Sequence, residues 1–133
     1  MNSLFRNTQL TINVSPTSFF RAGYASYICG LAEMHNLDCR DIIIEISEKT
    51  FMNNKELYKF SIATYREKGL KIAIDDFGKD YSSLSLLDGI DYDIIKIDGD
   101  FVQNIRSPKN KIIIEMVVKI ANLSDKLVIA EEI

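Results

Sequence analysis

Five short apolar runs rich in isoleucine and valine punctuate the chain: LTINVS (10–15), IIIEIS (42–47), KIAID (71–75), DIIKID (93–98) and LVIAE (127–131). Runs of this length, dense in β-branched residues, predict strands covered on both faces. Helical patterns lie between most of them. The first helix is expected roughly from Phe19 to Met34, followed by a turn at HNLDCRD. The second is KELYKFSIATYREKG, with Leu57, Phe60, Ile62 and Tyr65 as its apolar face and Gly69 as its stop. The connection YSSLSLLDGIDY leaves room for only a short helix, starting near Ser82 or Ser83. The last helix begins at SPKNK, where Ser107 can cap and Pro108 can take the first helical position; it continues through Ile112, Met116 and Ile120 to about Leu123. Strand alternating with helix predicts an α/β fold built from parallel βαβ units. Two architectures satisfy it, an open doubly wound sheet and part of a (β/α) barrel. Both gather ligands at the C-terminal ends of the strands.

Composition narrows the partners. The 133 residues suffice for one domain with a core and are too few for two. The formal charge is −3 and no basic block is present, so DNA or RNA is not expected as the main partner. No apolar run approaches the ~20 residues that cross a bilayer. The N-terminal MNSLFRNTQL lacks a charged segment followed by an apolar core, so no signal peptide and a cytoplasmic location are expected. Cys29 and Cys39 are expected as reduced thiols and are not spaced as a zinc pair, and His35 reads as a solvated helix-end residue.

The polar residues inside the apolar runs carry the chemistry. Asn13 and Ser15 end the first run, and Glu45, with Glu48 just beyond, marks the second. Asp75 and Asp76 end the third, Lys96 and Asp98 belong to the fourth, and Glu131 ends the fifth. A single buried carboxylate is often a structural hydrogen-bond partner. Five strands all delivering charged or amide groups to one rim is hard to obtain from packing alone, because unpaired buried charge is costly. Carboxylates with an asparagine, and no His or Cys, form a hard donor set that suits Mg²⁺ or Mn²⁺. Adjacent aspartates can serve two ions ~3.5–4 Å apart, the usual device for in-line attack on a phosphodiester. Lys96 would then hold the attacking water or offset transition-state charge; the plainer reading is a buried pair with Asp75 or Asp98. Receiver domains of two-component signalling also combine an acidic pair with a lysine, but there the pair follows the first strand. Here two βα units precede it.

Taken together, LTINVS, IIIEISEKTF, KIAIDDFGKDYSSL, DIIKIDGDFV and LVIAEEI resemble, in order and spacing, the EAL domain family. The resemblance runs from about Leu10 to the last residue, and its most specific block is DDFG…YSSL followed by KID…FV. It implies a partial (β/α) TIM-type barrel of about five parallel strands with intervening helices, a single partial domain over 1–133. It also implies a bacterial phosphodiesterase that opens cyclic di-GMP to the linear pGpG with two Mg²⁺ or Mn²⁺ ions. By motif, Asn13, Glu45, Asp75, Asp76 and Glu131 resemble the metal ligands, with Asp75 bridging. Lys96 resembles the lysine that positions the catalytic water, Glu131 also serves that water, and Glu48 resembles the glutamate that orders the loop after DDFG. Asp98 is carried over only as part of KID.

The sequence departs from the family pattern in three places. It contains no Glu-Ala-Leu motif, whose glutamate binds metal in the family. Lys79 and Asp80 stand where the family usually has threonine and glycine, and Glu132 stands where it has glycine. By strand count the chain holds the second to sixth strands of a barrel that typically needs ~250 residues. An arc of five strands exposes two edges, so self-association, or cover by missing parts of the same domain, is expected. This chain alone is expected to be weak or inactive. The alternative is a degenerate module that binds the nucleotide or a protein partner without catalysis.

Overall fold

A computed structural model describes residues 8–47, 55–78 and 89–131 of the chain. Among these residues there are five strands: β1 (Leu10–Asn13), β2 (Ile42–Ser47), β3 (Lys71–Phe77), β4 (Ile94–Ile97) and β5 (Leu127–Ala130). They form one sheet in the order β1-β2-β3-β4-β5, and every neighbouring pair is parallel. A sheet whose spatial order follows the chain, without reversal, is a segment of barrel wall and not a doubly wound sheet. The helices are α1 (Pro16–Phe19), α2 (Tyr24–Met34), α3 (Lys55–Glu67), α4 (Gly99–Gln103) and α5 (Pro108–Leu123), with a 3₁₀ turn at Cys39–Asp41.

The apolar runs are continuous in sequence but divide by parity in space, as a period of two requires. Ile42, Ile44, Ile46, Ile72, Ile74, Ile95 and Ile97 enter the main core, which the helices cover. Ile43, Ala73 and Ile94 form a second buried cluster on the opposite face. The ladder sets Asn13, Glu45, Ala73, Ile94 and Leu127 in one row across all five strands. Two residues further along on the same face come Asp75, Lys96 and Ile129. The polar rim therefore climbs one step from β1–β2 to β3–β4, on the face that lacks helices. The edges are partly bare: Leu10 is 49% exposed and Leu127 63%.

Several helical expectations are corrected. The single helix predicted from Phe19 to Met34 is two, because Gly23 adopts φ 81° at the start of α2, while Ser15 caps α1 by accepting from the Ser18 N–H at 3.2 Å. In α3 the buried face is Tyr58, Ser61, Ile62 and Tyr65, and the predicted Leu57 and Phe60 are exposed. Tyr65 decides that rotation: its hydroxyl donates to the Phe19 carbonyl at 3.0 Å and its ring stacks on Phe19 at 4.6 Å. In α5, Pro108 takes the first turn as predicted, Ser107 sits at the cap position without a side-chain capping bond, and Val117 and Ala121 are buried while Ile112 and Met116 are exposed. The helix predicted near Ser82 or Ser83 lies outside the described residues. Cys29 and Cys39 are joined as a disulfide, against the expectation of free thiols. The turn after α2, where Asn36 is left-handed and the Leu37 N–H donates back to Ala32, brings their Cα atoms to 5.5 Å. Residue spacing alone did not reveal that geometry.

Asp93, which precedes β4, stitches the N-terminal ends of three strands. Its Oδ2 accepts from the Ile72 N–H at 2.8 Å, its own N–H donates to the Ile72 carbonyl at 2.8 Å, and its carbonyl accepts from Leu127 at 3.1 Å. Arg66 Nη2 lies 3.3 Å from Asp93 Oδ1 and holds the carboxylate in place. Replacing it by alanine strands a backbone donor at the point that sets the β3–β4 register. Asp93→Ala is expected to lose about 2 kcal/mol in urea denaturation, and Asp93→Asn, which keeps an acceptor, less.

Candidate metal centre

The rim is built around an irregularity in β3. Ile74 pairs with Ile95, yet the next pair is Phe77 with Ile97, so β3 spends three residues where β4 spends two. One extra residue is a β-bulge. It falls on Asp75 and Asp76, and Asp76 takes φ 53°, a left-handed conformation that Asp tolerates better than most residues. The Asp76 N–H donates to Asp75 Oδ1 at 2.9 Å. The consequence is chemical. In a regular strand, neighbours point to opposite faces. Here Ile74 and Phe77 both enter the core, and the two aspartates between them stay together on the other side. Carboxylate oxygens of Asp75, Asp76 and Glu131 all lie within 4.8 Å of one another. Three converging hard oxygens fit Mg²⁺ or Mn²⁺ and not structural zinc.

The exit from the bulge is equally specific. Gly78 has φ 101°, and a Cβ placed there would sit 3.0 Å from the Phe101 ring. The backbone conformation favours glycine and the close ring adds to the preference, with Phe101 of α4 forming the floor beneath it. Asp98 is buried and caps α4, accepting from the Asp100 N–H at 3.2 Å. That helix and its cap escaped sequence reading; KIDGDF, an aspartate before a short apolar turn, was the available signal.

Lys96 occupies the middle of the rim. Its Nζ lies 2.6 Å from Glu131 Oε1, donates to Glu45 Oε1 at 2.8 Å and lies 3.9 Å from Asp75 Oδ1. Burial works against the ammonium charge. The hydrogen bonds to Glu131 and Glu45, with the Asp75 charge, outweigh burial and push the Lys96 pKa above its ordinary value. Held this way, Lys96 is a cation and not a base at neutral pH. Glu45 is 4% exposed and has this ammonium as its counter-charge. Asn13 ends the edge strand opposite Glu45, and the backbone beyond it is pinned there by the Val14 N–H donating to the Glu45 carbonyl at 3.0 Å. Of the predicted residues, then, Glu45, Asp75, Asp76, Lys96 and Glu131 converge, and Asn13 stands beside Glu45 on its ladder row. Glu48 lies outside the described residues.

This arrangement has counterparts. The profile of the EAL domain matches residues 1–133. The chain belongs to the EAL domain family. Among its EAL relatives, the cyclic di-GMP phosphodiesterase PdeF of Escherichia coli K12 is 32% identical over 92% of this chain, which spans 17% of that protein. The cyclic di-GMP phosphodiesterase PdeA of Borreliella burgdorferi is 30% identical over 91% of this chain, which spans 18% of it. Among solved EAL structures, the manganese and cyclic di-GMP complex of Klebsiella pneumoniae BlrP1 superposes with a TM-score of 0.92 at 29% identity, covering 98% of this chain and 34% of that one. The EAL domain of Mycobacterium smegmatis DcpA gives 0.86 at 31% identity, covering 95% of this chain and 57% of that one. The barrel-wall reading of the EAL fold therefore holds.

Because the bulge depends on a left-handed residue, the backbone and charge roles of Asp76 separate by mutation. Asp76→Asn keeps the conformation and is expected to hold the fold within about 0.5 kcal/mol, whereas Asp76→Val, β-branched at positive φ, is expected to lose about 1–3 kcal/mol. Urea denaturation of the two variants measures the difference.

Proposed function

We propose that residues 1–133 form one partial EAL domain that carries most of a cyclic di-GMP phosphodiesterase site, hydrolysing cyclic di-GMP to pGpG with Mg²⁺ or Mn²⁺. The observation that carries the reading is the bulge that turns Asp75 and Asp76 toward Glu131, with Lys96 beside them. The named activity of the relatives and the manganese–nucleotide complex of BlrP1 support it. In this reading Asp75, Asp76 and Glu131 would hold metal, with Glu45 and Asn13 completing the set from β2 and β1. Bound divalent ions would supply an activated water and neutralise charge developing on the phosphate. Lys96, fixed as a cation, orients that water and offsets phosphate charge; it takes no proton. Glu48 would order the loop after DDFG. A rim of four carboxylates otherwise repels a substrate with two anionic phosphates, which is why the reading needs metal.

A second reading is a degenerate EAL module that binds the nucleotide or a protein partner. One observation favours it: Glu132 stands where the family has a glycine next to Glu131. Retention of the converging set favours the enzyme. As for location, no described helix is long and apolar enough to cross a membrane. The proposed location is the cytoplasm; the Cys29–Cys39 bridge, a state oxidising compartments favour, weighs against it.

Chromatography of cyclic di-GMP incubated with the protein and Mn²⁺ separates the readings. Slow pGpG formation is expected, reduced at least about a hundredfold in Asp75→Asn and Lys96→Ala. An Asp75→Asn variant with full turnover contradicts the metal site, and nucleotide binding without product moves the assignment to the binding module. The bare edges at Leu10 and Leu127 also support self-association, with cover by missing parts of the same domain as the alternative. Sedimentation velocity is expected to show mass rising with concentration, and an invariant monomer contradicts it.

A further inference from the structure

The Lys96 ammonium contacts carboxylates delivered by three other strands: Glu45 in β2 at 2.8 Å, Asp75 in β3 at 3.9 Å and Glu131 after β5 at 2.6 Å. Two of these, Asp75 and Glu131, also belong to the carboxylate trio that converges within 4.8 Å. The lysine and a divalent ion therefore draw on the same two carboxylates. Among the described residues, Lys96 is the one Lys, Arg or His within 4.0 Å of Glu45, Asp75 or Glu131. Glu45 is nearly without solvent, and the Lys96 ammonium lies at hydrogen-bond distance from it.

We propose that Lys96 is the resident counter-cation of the rim: it holds Glu45, Asp75 and Glu131 together before metal arrives, and divalent metal must compete with its charge for Asp75 and Glu131. The proposal rests on the metal-binding reading above and adds to Lys96 a role separate from orienting water. It makes the lysine a brake on metal affinity. A unit positive charge a few ångströms from a divalent ion weakens its binding by about tenfold even at near-aqueous dielectric. Removing that charge thus tightens metal binding while loosening the metal-free protein, a pair of opposite effects that a water-orienting residue or a packing residue would not produce.

The test is Mn²⁺ titration by calorimetry, with thermal denaturation in EDTA, on the wild-type chain, Lys96→Met, Lys96→Gln and Lys96→Arg. Both neutral variants are expected to bind Mn²⁺ at least about tenfold more tightly than wild type, to melt earlier in EDTA and to recover on adding Mn²⁺. Lys96→Arg, which keeps the charge, is expected to stay near wild-type affinity. Should Lys96→Met fail to fold in EDTA, Lys96→Gln, whose amide can still donate to Glu45, carries the comparison. Wild-type Mn²⁺ binding with equal or weaker binding in the neutral variants overturns the counter-cation and leaves the metal site standing. Absence of Mn²⁺ binding in all four proteins overturns both.

Discussion

Everything at the rim depends on one backbone constraint: two consecutive aspartates must face the same way on a strand whose geometry would send them apart. The sheet meets it with a single extra residue in β3, and the left-handed turn at Asp76 is its local cost. Parallel neighbours on both sides, β2 and β4, hold that irregularity in place. Ile72 and Ile74 anchor the strand before the bulge, and Phe77 re-enters the core after it. Gly78 and the Phe101 ring then fix the direction of the outgoing chain. The chemistry is thus positioned by packing on the helical face, while the acids themselves lie on the other.

Charge is the second constraint. Glu45, Asp75, Asp76 and Glu131 share a small volume, and Lys96 is placed among them from β4. The N-terminal ends of the same strands are tied by Asp93 and Arg66. Each end of the β3–β4–β5 arc therefore has its own polar clamp. The one at the N-terminal end sets register, and the one at the C-terminal end gathers the groups that register aligns.

Most of the fold was legible from the five β-branched runs, because strands covered on both faces need apolar residues without interruption. Their parallel order followed from the intervening helices. The exceptions to apolarity, Glu45 and Lys96, were visible as candidate chemistry for the same reason: a charge inside a buried run requires a partner. What could not be read was geometry at the scale of one residue. Nothing in DDFG alone announces a bulge, so the two acids were legible as a pair while the means of aiming them was not. Helix faces were misjudged where one tertiary contact decided the rotation, as the Tyr65–Phe19 pair does for α3. The Cys29–Cys39 bridge was missed because it follows from the turn at Asn36, and the role of Asp93 because it reads as the polar start of a strand.

The most direct test of the account is where manganese sits. Crystals of the chain soaked in Mn²⁺, measured at the manganese absorption edge, would show bound ions as anomalous peaks. The account predicts a peak in direct contact with Asp75, Asp76 and Glu131, about 2.0–2.3 Å from their oxygens as hard divalent ions require. A soaked crystal with no peak there, or with manganese bound elsewhere while the three carboxylates remain as they are, would contradict it.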